Sequence, residues 1–324
     1  MSSVRRLPLW TMLIPLVAGV GLWFWLWSGY RNDLAATLRP LLPADTLIET
    51  GGFPYRLEAR VAPLGFAYAG EALEASLKAS QAVVHRVPWQ THHAVLNLEQ
   101  PDLRLALSAV PGATLRIAAP AAQASLKRAD GRIARLSLVW HNPRIETGLL
   151  APAMTAESLE AHLRETPAEQ LPASSPRHPT QDQLMLSARA LRIGGGDPLD
   201  LAMTAEVTAP HPVTSLNGWR DGGTVEGRTL TLSDATGEVA RFTGTLVMDA
   251  GGALSLAGTV ETVCPASVRA AFANAPAPSE MRSRKPVRIA FAGTLPAGLA
   301  MAPAVPGSMV PPVRAQEPPC PRLR

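Results

Sequence analysis

A chain of 324 residues is long enough to bury one large core or two ordinary ones. At 47% hydrophobic and 17% charged residues it is apolar for a soluble protein. The formal charge of +4 comes mostly from arginines scattered singly, with no Lys/Arg block and no basic stripe interleaved with aromatics, which excludes nucleic acid as a partner.

The N-terminus predicts a membrane anchor. After Arg5 and Arg6, the run Leu7–Trp27 carries no charge, and about 20 apolar residues suffice to cross a hydrocarbon core of about 30 Å. Pro8 and Pro15 are tolerated in such a helix. Trp10 lies near one end and Trp23, Trp25, Trp27 and Tyr30 gather at the other, as interfacial aromatics do. The arginines before the run outweigh Arg31 beside Asp33 after it, so the positive-inside rule puts residues 1–30 in the membrane with a cytoplasmic stub and the remainder outside. A cleaved signal peptide is the rival reading. The length of the run and the absence of an A-x-A-like site after Trp25 and Trp27 favour an uncleaved anchor.

Asn32–Arg39 reads as a short helix closed by Pro40. Beyond it the period is two. In GGFPYRLEARV, Phe53, Tyr55, Leu57, Ala59 and Val61 alternate with Pro54, Arg56, Glu58 and Arg60, so one strand face is apolar and the other charged. The same pattern recurs at Leu103, Leu105 and Leu107, at Leu136, Leu138 and Trp140, and at Leu199, Leu201, Met203, Ala205 and Val207. Ala156–Arg164 fits either a helix or a strand. Asp130-Gly131, Asp221-Gly222-Gly223 and Asp249–Gly252 supply turn residues, the last joining two alternating runs as a hairpin.

Glu165–Gln181, rich in Pro and Ser and without periodicity, reads as a linker or long loop. It divides a first β portion, 31–164, from a second, 182–296. Residues 297–324 read as a Pro-rich disordered tail. The expected fold is therefore mostly β: an N-terminal transmembrane helix followed by an extended, curled antiparallel sheet, either an open groove or a sandwich-like packed structure.

Signals for chemistry are weak. His92 and His93 are adjacent and would point to opposite strand faces, and no HExxH is present. Asp130, Asp221, Asp234 and Asp249 sit in turn-like stretches. Gly194–Gly196 lacks phosphate-loop spacing, and no G-x-S-x-G elbow occurs. The two cysteines, Cys264 and Cys320, match no zinc pattern, and their pairing stays open. The reading is a non-enzyme with no cofactor and no metal.

Three features together resemble a known family: the lone anchor, the Gly52-Phe53-Pro54 segment shortly after it, and a late stretch with Trp219, Gly222-Gly223 and the Gly244-x-Leu246-x-x-Asp249-x-x-Gly252 meander. They are similar to domain of unknown function family 2125, membrane-anchored envelope proteins of Gram-negative bacteria. The resemblance implies an inner-membrane protein with one pass, its N-terminus cytoplasmic and its bulk periplasmic. It implies no reaction. More loosely, an anchor followed by a one-sided sheet is similar to AsmA-like proteins, whose curled sheets form lipid-carrying grooves. The expected apolar groove residues are Phe53, Tyr55, Leu57, Val61, Leu199, Leu201 and Met203. Partners expected are the membrane through the helix, a lipid ligand and another envelope protein. The competing reading is a structural or assembly factor with a closed, self-packed β core.

Overall fold

The structure, a computed structural model, describes residues 10–70, 73–108, 112–148, 152–166, 169–211, 219, 222–248, 253–276, 278–295, 297–312, 314 and 316–323. The hairpin turn expected at Asp249–Gly252, and with it Asp249 and Gly252, lies outside these residues, as does Asp221.

Helix α1 spans Trp10–Leu38, 29 residues, or about 44 Å at 1.5 Å per residue. It is the only helix among the described residues long and apolar enough to cross a membrane. The short helix expected at Asn32–Arg39 is not separate. It forms the last turns of α1, because nothing between Tyr30 and Leu38 breaks a helix. A 3-10 turn, Arg39–Leu41, ends it at Pro40.

The rest is one connected antiparallel sheet bent into two wings and not closed into a barrel. Successive pairs of strands alternate between the wings. β1 (Leu47–Gly51) and β2 (Leu57–Ala62) lie in the first wing, β3 (Leu64–Ala69) and β4 (Leu73–Ala79) in the second. β5 (Gln81–Arg86) and β6 (His93–Glu99) return to the first; β7 (Asp102–Leu107) and β8 (Thr114–Ala118) cross again. β9 (Ala121–Ala129) and β10 (Arg132–His141), then β11 (Arg144–Thr147) and β12 (Met154–Thr155), repeat the exchange.

Many of the crossings carry a proline: Pro63, Pro101, Pro120 and Pro143. Proline cannot donate to the ladder, so the chain leaves one wing there and enters the other. β13 (Ser158–Glu165) and β14 (Thr180–Ile193) belong to the first wing, and the end of β14 also pairs with β12, closing the bend. β13 resolves the ambiguous Ala156–Arg164 segment in favour of its alternation.

β13 and β14 pair directly, Ser158 to Arg189 through Glu165 to Asp182. The strands on either side of the Pro/Ser segment thus pair within one sheet. From β14 the first wing continues through β15 (Leu199–Thr208), β16 (Thr224–Asp234), β17 (Gly237–Met248), β18 (Leu254–Thr262) and β19 (Val287–Leu295). A short helix, α2 (Pro265–Phe272), separates the last two.

The C-terminal segment departs from the expected disorder. It forms β20 (Gly298–Met301) and β21 (Val305–Pro306) against β19, and buries Met309 and Leu323. It is also tied by a Cys264–Cys320 disulfide and an Arg322–Asp197 ion pair at 3.1 Å. Pro-rich composition blocks regular ladders, but it does not prevent burial or cross-linking.

The main core fills the bend. Val61, Leu98, Ile117, Trp140, Ile145 and Leu159, from both wings, pack in one cluster.

Candidate functional site

Strand register lines up the apolar face of the first wing into rows that run across it. One row is Leu126, Leu136, Leu163 and Leu184, cross-strand neighbours on β9, β10, β13 and β14. The adjoining row includes Leu138, Ala161, Leu186, Met203, Leu230 and Phe242. The opposite face of the same strands is polar, with Ser125, Ser137, His162, Gln183, Thr204 and Thr229. This is the alternation of a sheet with one wet side.

Both ends of the apolar face are covered. At the β2 end, Trp27 and Leu34 of α1 pack on Leu57, Ala59 and Val84. Trp27 Nε1 donates to the Arg56 carbonyl at 3.1 Å, and Trp23 Nε1 to the Pro54 carbonyl at 2.9 Å, so the helix is pinned to the first strands. At the other end, Phe272 of α2 lies between Phe242 and Phe291, with ring centroids 6.3 and 5.6 Å away. The disulfide-linked tail joins the same cluster. Along one side Trp219 packs with Ala113, Met248 and Leu254, bringing the tip of the second wing against the ends of β17 and β18.

Between these covers a strip is left. Leu126, Leu136, Leu163, Leu184, Met203 and Leu230 are half-buried and belong to none of the packed clusters of the described residues. From β9 to β16, the strands that carry these residues, the first wing has five strand-to-strand steps, which at about 4.8 Å each span roughly 24 Å. One leaflet of a bilayer is about 15 Å thick in hydrocarbon. The strip is therefore long enough for an extended acyl chain.

The groove residues expected from sequence are dispersed by this arrangement. Leu57 and Val61 are fully buried, in the α1 cluster and the bend cluster respectively. Phe53 and Tyr55 are not on β2 at all. They sit in a turn between Gly52, at φ +98°, and Leu57, where Phe53 meets Trp27 edge-on at 5.4 Å and Tyr55 is exposed. Leu199 packs in the α2 cluster and Leu201 against the bend. Met203 alone of the seven lies on the strip.

Of the family-motif residues, Trp219 is buried with Gly223 against it. A Cβ on Gly223 would fall 2.3 Å from the indole Cδ1. Gly244 lies in the row that continues from Leu184, flanked across the strands by Gly227 and Gly258.

Ionisable groups border the face. Asp182 and Glu165 pair across β13 and β14 at one rim, and Arg132 binds Glu165 at 2.7 Å. Burial, and then the Glu165 charge, push the Asp182 carboxyl above its ordinary value. The second wing carries its own cleft, of about 760 Å³, lined in part by Tyr68, Glu74, Arg104 and Arg116. Its arginines are neutralised locally. Arg116 binds Asp102 at 2.9 Å and Arg104 does so at 3.2 Å, and these contacts, the Arg116 hydrogen bond foremost, bring the Asp102 pKa down to about 2. Among the described residues no group of three or more His, Cys, Asp or Glu side chains is placed to hold a metal ion.

Residues 46–309 match a family model described as an uncharacterized protein conserved in bacteria (DUF2125). No curated protein and no solved structure matches the chain.

Proposed function

The chain belongs to the DUF2125 family of bacterial proteins, and from that premise we propose that it is a membrane-anchored, non-enzymatic binder that shelters an acyl chain of a lipid on the uncovered strip of its sheet. The observation that carries this reading is the row Leu126, Leu136, Leu163 and Leu184, apolar, half-buried and in none of the packed clusters of the described residues. An apolar face of this size costs free energy in water at roughly 25 cal/mol per Å² and calls for an apolar occupant. A self-packed assembly factor would have closed this strip as it closed the bend.

Location follows from the same reading. The Arg5-Arg6 flank directs the N-terminus to the cytoplasm and the sheet to the periplasm, and a Cys264–Cys320 disulfide suits an oxidising compartment. The test is a photo-crosslinking amino acid at Leu163 in the full chain, expressed in bacteria whose acyl lipids are radiolabelled. The same probe at His162, on the polar face, is the control. A labelled adduct at position 163 and none at 162 is expected; no adduct at 163, or equal labelling at both, overturns the proposal.

A further inference from the structure

Among the described residues, Arg86 is a half-buried cation on the apolar face without an ion pair. Arg86 sits opposite Leu57 on β2 and Ala94 on β6, in the row that leads on to Leu126, Leu136 and Leu163. Its neighbours Val84 and Ala82 are buried on this same side, whereas His85 points the other way, towards Glu58 at 3.5 Å. Arg86 is half-buried and forms no ion pair with any described carboxylate, and its buried Nε has no hydrogen-bond partner. An arginine in that position without a counter-ion is a costly arrangement for stability alone.

The place of Arg86 in the fold indicates what would complete it. Leu57 and Ala94, on either side, belong to the cluster that receives Trp27 and Leu34 of α1. Between those two helix residues, on the same helical face, is Arg31, which stacks over the Trp27 ring at 5.5 Å and whose own Nε is buried and unpartnered. Arg31 is the first charged residue after the apolar run of α1, so it stands at the depth of the lipid headgroups. Two guanidinium groups without carboxylates thus lie where the membrane helix meets the beginning of the apolar face. Of the carboxylates on that face, Glu165 is four strand-to-strand steps from Arg86 and Asp182 five, about 19 and about 24 Å away.

We infer that Arg86, together with Arg31, holds the phosphate of a membrane phospholipid whose acyl chain lies along the uncovered strip. The guanidinium fork matches phosphate oxygens in pairs, and the low-dielectric flank formed by Trp27, Leu57 and Ala94 strengthens the contact. This inference rests on the acyl-binding reading above and adds the headgroup to it.

The experiment is native mass spectrometry of the full chain released from a neutral detergent, titrated with phosphatidylglycerol or with diacylglycerol of the same acyl chains. Wild type should retain phosphatidylglycerol preferentially. Arg86→Gln should weaken that binding by about tenfold, the size of one charge-assisted hydrogen bond, and leave diacylglycerol unchanged. Arg86→Lys should keep part of the preference. Arg135→Gln, on the polar face of β10, should change neither. If wild type retains neither lipid, the acyl-binding reading falls and this inference with it. If both lipids bind and Arg86→Gln alters neither, or weakens both alike, the strip stands and the headgroup assignment is overturned.

Discussion

Breaking the Cys264–Cys320 bond tests how the far end of the apolar face is held. The disulfide joins residues 56 positions apart, and the loop it closes contains α2, β19, β20 and β21. In the chain-entropy account a loop of that length is worth about 4 kcal/mol, by restricting the unfolded chain. Noncovalent contacts hold the tail as well: Arg322 binds Asp197 at 3.1 Å, and Met309 and Leu323 are buried. Those contacts persist on reduction, so the native state should survive with lower stability. For a domain of this size each kcal/mol moves the melting temperature by roughly 2–4 °C, so a drop of about 8–15 °C is expected. The assay is thermal melting of the full chain in neutral detergent, oxidised against reduced, with the Cys264→Ala/Cys320→Ala double variant as a second measure. Hydrogen exchange should show lost protection over 316–323 in the same samples. Melting temperatures within about 2 °C of each other, in samples whose oxidised form carries no free thiol, would refute the reasoning.

Two further perturbations read the sheet itself. A Cβ on Gly258 would lie 2.2 Å from the Thr243 carbonyl oxygen and 2.8 Å from the Phe291 ring, so Gly258→Ala should force β17 and β18 apart and cost about 1–3 kcal/mol. Gly65→Ala, with nothing within 4 Å of its Cβ, should melt close to wild type, and equal losses for the two would count against the close crossing. At the rim, burial and then Glu165 raise the Asp182 pKa above 3.8. The folded protein thus binds this proton more tightly than the unfolded chain does, and the associated stability is complete below about 3.8 and lost as pH rises through the raised value. Asp182→Asn should therefore melt higher than wild type at pH 7 and converge with it near pH 4; an unchanged gap at both pH values would contradict the assignment.

What the sequence made legible was local, and what it hid was register. Leu103, Leu105 and Leu107, or Leu136, Leu138 and Trp140, alternate within one strand, and each fell into a strand as read. The alternation at Phe53 and Tyr55 was equally regular, but Gly52 and Pro54 set a turn that removes both from β2. Cys320 and Arg322 find their partners 56 and 125 residues away, so composition alone read the tail as loose. The strip itself lies in runs with an obvious period, since Leu163 and Leu184 alternate with polar neighbours. Which runs stay uncovered depends on twelve consecutive strand pairings and on where two helices land.

The scarcity of helices, legible in the sequence, bears on how the sheet is covered. A one-sided sheet needs cover over its whole apolar face. Among the described residues the last turns of α1 reach β1, β2, β5 and β6, and the 8 residues of α2 pack on the strands around β18. The second wing covers the bend and, through Trp219, one side. Among the described residues the leucines between join none of these clusters, and on the reading proposed above a lipid chain covers them, next to the helix proposed to lie in the membrane.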